Sequence, residues 1–142
     1  MIEIISAVAT ALVVMLLAPV LSKHFPAKLL AATILCSIAF IYVGFSLEGN
    51  QVSSIILEVS VAIIFYFIAI IGYSKYRYLI AFGIGLHGIW DIFHYKALLI
   101  RTAIPDYWPL YCLVIDFLWG VYFFILFKRQ EKQTVQSSSG YL

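Results

Sequence analysis

The chain has 142 residues, of which 64% are hydrophobic and 11% are charged, and its formal net charge is +2. A soluble domain carries about 25% charged residues, so this composition excludes a water-soluble globular protein and predicts an integral membrane protein. The length allows at most five or six membrane spans of about 20 residues each, which excludes a large catalytic domain or a nucleotide-binding fold. The small net charge gives no support for a nucleic-acid partner, whereas the lipid bilayer is an expected one.

Apolar runs separated by polar turn residues predict an all-α, polytopic membrane helix bundle of about five transmembrane helices. In chain order, the predicted spans cover residues 4–21, 28–47, 54–73, 78–98 and 108–127. The first run lacks a basic segment before it and is too long for a signal peptide, so we expect a span that is retained. We expect residues 1–129 to form a single transmembrane domain and the polar residues 130–142 to form a flexible cytoplasmic tail.

The lysines and arginines are divided unevenly between the two sides of the predicted bundle. Two of them, Lys96 and Arg101, lie at the C-terminal end of the fourth span and just beyond it, and the other seven fall on the opposite side. These seven are Lys23, Lys28, Lys75, Arg77, Lys128, Arg129 and Lys132. By the positive-inside rule, the N-terminus is expected outside and the C-terminus in the cytoplasm.

Five acidic residues or histidines fall within the predicted spans: Glu58, His87, Asp91, His94 and Asp116. An Asp near the centre of a span costs about 2.5–3.5 kcal/mol, and each Leu, Ile or Phe returns only about 0.3–0.6 kcal/mol. These side chains are therefore expected to face protein or water and not lipid.

The helical spacing of these residues predicts polar stripes on three spans. At about 100° per residue, the three ionisable residues of span four share a sector of about 60°, and Leu98 extends the stripe. Cys112 and Asp116 share a face of span five with Gly120, and Glu58 shares a face of span three with small residues. With the orientation above, all five ionisable residues lie in the outer half of the membrane. We therefore predict a buried polar site between helices.

Imidazoles and carboxylates in one site are typical ligands of a divalent metal such as zinc, iron or manganese. The predicted metal ligands are His87, Asp91, His94 and Asp116, to which Cys112 could add a thiolate. The alternative is a hydrogen-bonded network that locks three helices together. Both cysteines lie in apolar runs, so a disulfide framework is not expected.

The stretch from Tyr76 to Phe124 carries three recognisable motifs. They are Tyr76-Arg77-Tyr78, the run His87-Gly88-Ile89-Trp90-Asp91-Ile92-Phe93-His94, and the pair Cys112 and Asp116. This stretch resembles a family of small bacterial integral membrane proteins known as a domain of unknown function. That family's usual form is His-x-x-Trp-Asp-x-x-His-His, and here Tyr95 replaces the last histidine. The resemblance implies a bacterial inner-membrane location but no activity.

Three functions remain open from the sequence. The first is a metal-dependent enzyme acting on a lipid or other apolar substrate, with Glu58 and Asp91 as the catalytic candidates that handle protons. The second is a small proton- or cation-coupled carrier, for which five spans are few, so a homo-oligomer is expected. The third is a structural or assembly subunit of a membrane complex.

Overall fold

A computed structural model describes residues 1–49, 51–100 and 103–139 as helices joined by short connections. The α-helices are α1 (Ile2–Leu21), α2 (Ala27–Glu48), α3 (Val52–Ser74), α4 (Arg77–His94) and α5 (Trp108–Ser139). A short 3-10 helix, Tyr95–Ala97, follows α4. The all-α prediction is confirmed, and the first three spans begin and end within about two residues of the predicted bounds.

Four helical segments are long and apolar enough to cross a membrane: α1, α2, α3 and the part of α5 at Trp108–Gln133. The helix α4 is shorter, with 18 residues, and it carries three of the ionisable residues. The outward faces of the bundle are apolar, and Leu16 and Phe82 are 74% and 67% exposed. Large exposed apolar surfaces are unfavourable in water and suited to lipid, so the chain is a helical membrane protein.

The predicted fourth span is too long at its C-terminal end. The helix α4 stops at His94, because Lys96 and Ala97 adopt left-handed conformations with φ of 51° and 53°. Such conformations are uncommon for residues other than Gly, Asn and Asp, so the sequence offers no signal for this break. Leu98 lies beyond the helix and is 64% exposed, so it does not extend the polar stripe.

The helix α5 continues well past the predicted end of span five at residue 127. Residues 130–139, which the sequence assigned to a flexible tail, continue the helix as far as Ser139. The segment is rich in good helix formers and contains no Gly or Pro, and Glu131 accepts a hydrogen bond from Tyr78 on α4. Asn50, Arg101, Thr102 and residues 140–142 lie outside the described residues.

The helices α4 and α5 pack together at the centre of the bundle. The helix α4 also packs against α3 and α2, and α1 packs against the far side of α5. Buried alanines on α1 let α5 approach closely, and there the Trp119 indole N–H donates to the Ala11 carbonyl at 3.4 Å. The polar stripe of α4 therefore faces other helices and not lipid.

Close contact between α4 and α5 depends on Gly120. A Cβ atom added at Gly120 would lie 3.1 Å from the Ala81 carbonyl oxygen and 3.2 Å from the Gly85 nitrogen. Only a glycine allows two helix backbones to approach this closely without a shift. Asp116 lies one turn earlier on α5, so this packing brings its carboxylate against α4.

Candidate functional site

The five ionisable residues predicted inside the spans are all buried, and none is more than 5% exposed. They lie toward one end of the bundle, where α2 and α4 end and where α3 and α5 begin. Hydrogen bonds divide them into two neighbouring clusters. The surrounding helices enclose both.

The first cluster, which we call the His–Asp–Asp cluster, consists of His87, Asp91 and Asp116. His87 Nδ1 lies 2.7 Å from Asp116 Oδ2 on α5 and 4.0 Å from Asp91 Oδ1, one turn along α4. One ligand atom from each residue can be chosen so that all three lie within 4.8 Å of one another. Two helices thus bring one imidazole and two carboxylates to a single point.

The carboxylates of this cluster are only half satisfied by hydrogen bonds. Asp91 Oδ1 accepts a hydrogen bond from the Tyr42 hydroxyl at 2.5 Å. The other oxygens, Asp91 Oδ2 and Asp116 Oδ1, are buried and have no hydrogen-bond partner among the described residues. A buried carboxylate oxygen without a donor costs more than an apolar group in its place, so these oxygens favour a cation as partner.

The His–Asp–Asp cluster fits a divalent metal in both chemistry and dimensions. One nitrogen and two oxygen ligands suit zinc, iron or manganese, and two carboxylates balance the charge of a divalent ion. Ligands at about 2.1 Å from one ion lie at most about 4.2 Å apart, so binding requires only a small closure of the cluster.

The second cluster, which we call the Glu–His–Trp cluster, joins α3 to the C-terminal end of α4. His94 Nε2 lies 2.8 Å from Glu58 Oε1, and the Trp90 indole N–H donates to Glu58 Oε2 at 3.3 Å. His94 Nδ1 lies 3.2 Å from the Trp90 carbonyl oxygen. Every nitrogen and oxygen atom of the Glu58 and His94 side chains has a partner, unlike those of the first cluster.

The hydrogen-bond pattern of this second cluster determines its charge. The Trp90 carbonyl can only accept, so His94 Nδ1 carries a hydrogen and donates it. Then either neutral His94 accepts at Nε2 from protonated Glu58, or the imidazolium donates to the Glu58 carboxylate. In both forms one proton lies between Nε2 and Oε1, and the pair has no net charge.

The predicted ligands are thus divided between the two clusters. His87, Asp91 and Asp116 come together, whereas His94 pairs with Glu58 and lies outside the three-residue group. Cys112 is buried and forms no disulfide, and it is not one of the three grouped ligands.

Sequence reasoning missed Tyr42 of α2, which lies between the two clusters. Its ring centroid is 4.5 Å from that of His94 and 5.7 Å from that of His87, and its hydroxyl binds Asp91. The available signal was a tyrosine in the interior of an apolar span, because a buried phenol needs a hydrogen-bond partner. The site therefore draws on four helices and not three.

The fold and the site together define an α-helical membrane protein that encloses an acid–imidazole cluster. The model of a family of unknown function, DUF6010, matches residues 2–129, and the chain belongs to this family. The match extends the resemblance over Tyr76–Phe124 to nearly the whole chain. No curated protein and no solved structure is detectably similar to this chain.

Proposed function

We propose that the protein is a multi-pass membrane protein whose His–Asp–Asp cluster binds a divalent metal. The observation that carries this proposal is the pair of buried carboxylate oxygens, on Asp91 and Asp116, that lack a hydrogen-bond partner beside His87. A satisfied structural network would leave neither oxygen without a donor. Zinc, iron and manganese are the candidate ions, since each accepts nitrogen and oxygen ligands.

A metal in this position suggests chemistry on a lipid or another apolar substrate. A bound divalent ion would supply Lewis-acid activation, and the apolar surface of the bundle would lie against the acyl chains of the bilayer. Tyr42 orients the Asp91 carboxylate through its hydrogen bond. Glu58 and Asp91 remain the candidates for proton transfer. Of the two, Glu58 shares a proton with the nearby His94.

The proposed orientation places the N-terminus outside, the C-terminus in the cytoplasm and the site in the outer half of a bacterial inner membrane. The unequal distribution of lysine and arginine supports this orientation. Glu58 and Asp116 lie six and eight residues into α3 and α5, the helices that would enter from outside. A substrate or ion would then reach the site from the outer leaflet or the outer solution.

A second role is favoured by the Glu–His–Trp cluster. Its complete set of hydrogen bonds is typical of a network that holds two helices together. We therefore assign Glu58 and His94 a structural contribution alongside the proposed metal site. The carrier alternative uses the same buried groups and requires pH-dependent flux without a stoichiometric metal, with assembly into an oligomer.

The test is the metal content of the purified full-length protein, measured by mass spectrometry after reconstitution with zinc, iron and manganese. We expect close to one ion per chain. Asp116→Asn and His87→Gln should abolish it, because each removes a ligand while keeping a hydrogen-bonding side chain of similar size. His24→Gln is the matched control, since His24 is exposed in the loop between α1 and α2.

Both outcomes of this experiment are informative. Metal that is retained by His24→Gln and lost by the two site variants, with unchanged helical content, supports the proposal. A parent protein that holds no metal after reconstitution overturns it, and transport assays on vesicles then become the test of the carrier.

A further inference from the structure

A polar pocket of about 400 Å³ lies at the end of the bundle opposite the His–Asp–Asp cluster. Here α1 and α3 end and α2 and α4 begin. Three cations, Lys28, Lys75 and Arg77, line this pocket together with Ser22 and Gln130, and none of its lining residues is acidic. We call it the cationic pocket.

Among the described residues, the cations of this pocket have no acidic ion-pair partner. Glu131 on α5 instead accepts a hydrogen bond from Tyr78. Lys28 Nζ lies 4.6 Å from the centre of the Tyr73 ring, a cation–π contact that does not offset its charge. Three like charges around one concave space attract an anion.

Hydrogen-bond donors accompany these charges. The helices α2 and α4 begin in the pocket wall, at Ala27 and Arg77, and neither has a side-chain cap. Their first N–H groups have no partner within the helix and favour negative charge. The Ser22 hydroxyl is also buried without a partner among the described residues. A phosphate group, with several acceptor oxygens, matches this combination of donors and cations.

We propose that the cationic pocket binds a phosphate group, and that this phosphate belongs to the headgroup of an anionic phospholipid. The pocket lies where three apolar, membrane-length helices begin or end, which is the level of lipid headgroups. Its polar wall adjoins apolar helix surface that would contact the acyl chains. Free inorganic phosphate presents the same acceptor oxygens and negative charge, so the experiment must distinguish it from a lipid headgroup. The inference does not depend on the proposed metal site.

The experiment titrates delipidated full-length protein in detergent with phosphatidylglycerol or phosphatidylcholine and measures binding by native mass spectrometry. The pocket variant is Lys75→Gln/Arg77→Gln. The control variant is Lys23→Gln/Lys128→Gln, which removes two exposed cations from the same end of the bundle that do not line the pocket. We expect the pocket variant to bind phosphatidylglycerol about tenfold more weakly, a change equivalent to about 1.4 kcal/mol. The control variant should bind as the parent does.

A second measurement separates the two sources of phosphate. Thermal unfolding of the delipidated protein is followed with and without inorganic phosphate, at constant ionic strength. The lipid assignment would be overturned if free phosphate stabilised the parent protein but not the pocket variant while both bound lipid equally. Equal weakening in the pocket and control variants would show diffuse surface attraction and overturn the site itself. If the double variant fails to fold, Lys28→Gln takes its place in both measurements.

Discussion

At the scale of single residues, the two histidines of α4 have different surroundings although they share one helix face. His87 lies among carboxylates from two helices that retain unpartnered oxygens, whereas His94 is fully hydrogen-bonded between Glu58 and Trp90. The first environment suits a ligand and the second suits a structural link between α3 and α4. A helical wheel cannot separate them, because it contains no information about the partner helix that each side chain meets.

The single proton of the Glu58–His94 pair leads to a prediction about stability. In Glu58→Gln, the amide N–H₂ can donate to His94 Nε2 while the amide oxygen accepts from the Trp90 indole, so both contacts survive with neutral groups. Glu58→Ala leaves two buried polar groups without a partner, each costing about 1–3 kcal/mol. In detergent, we expect Glu58→Gln to unfold at nearly the same temperature as the parent protein and Glu58→Ala to unfold at a clearly lower temperature. Equal destabilisation of the two variants would show that the pair needs an ionised carboxylate.

At the scale of the elements, the sequence predicted each helix but not all of the helix ends. Apolar runs bounded by turn residues defined α1, α2 and α3, since burial in lipid requires about 20 apolar residues. The end of α4 at His94 and the extension of α5 to Ser139 carry no comparable signal. The end of α4 depends on a left-handed backbone at Lys96 and Ala97. The extension of α5 consists of polar residues, several of which favour a helix.

Helix contacts also produce a prediction for two neighbouring glycines. A Cβ at Gly120 would press on the α4 backbone, whereas a Cβ at Gly85 would have no atom within 4 Å. We expect Gly120→Ala to destabilise the protein by about 1–3 kcal/mol, the usual cost of overpacking, and Gly85→Ala to leave stability unchanged. Thermal unfolding of the two variants side by side is the measurement. A loss in both would contradict the overpacking explanation, because the methyl group added at Gly85 meets no atom within 4 Å.

At the scale of the whole molecule, the position of the site along the bundle axis could be predicted from the sequence, whereas the residues that form it could be predicted only in part. Because successive helices run in opposite directions, the positions of the ionisable residues along their helices place them all toward one end of the bundle, as in the structure. The division into two clusters and the contribution of Tyr42 depend on which helices are neighbours, and the order of spans along the chain does not determine this. The cationic pocket cannot be predicted for the same reason, because the sequence does not show that Lys28 lies beside Lys75 and Arg77.

The number of membrane crossings leads to the last prediction, because α4 is shorter and more polar than the other helices. It nevertheless lies antiparallel to α5 from the Tyr78–Glu131 hydrogen bond through the Gly120 contact to the His87–Asp116 pair. A helix that follows a membrane-spanning neighbour in this way is expected to cross with it, its polar face covered by protein. Five crossings place the two termini on opposite sides, whereas four would place them on the same side.

We expect a membrane-impermeant protease, added to right-side-out vesicles, to remove an N-terminal epitope tag and leave a C-terminal tag intact until the vesicles are opened. Simultaneous loss of both tags in sealed vesicles would show that α4 does not cross, and loss of the C-terminal tag alone would reverse the proposed orientation.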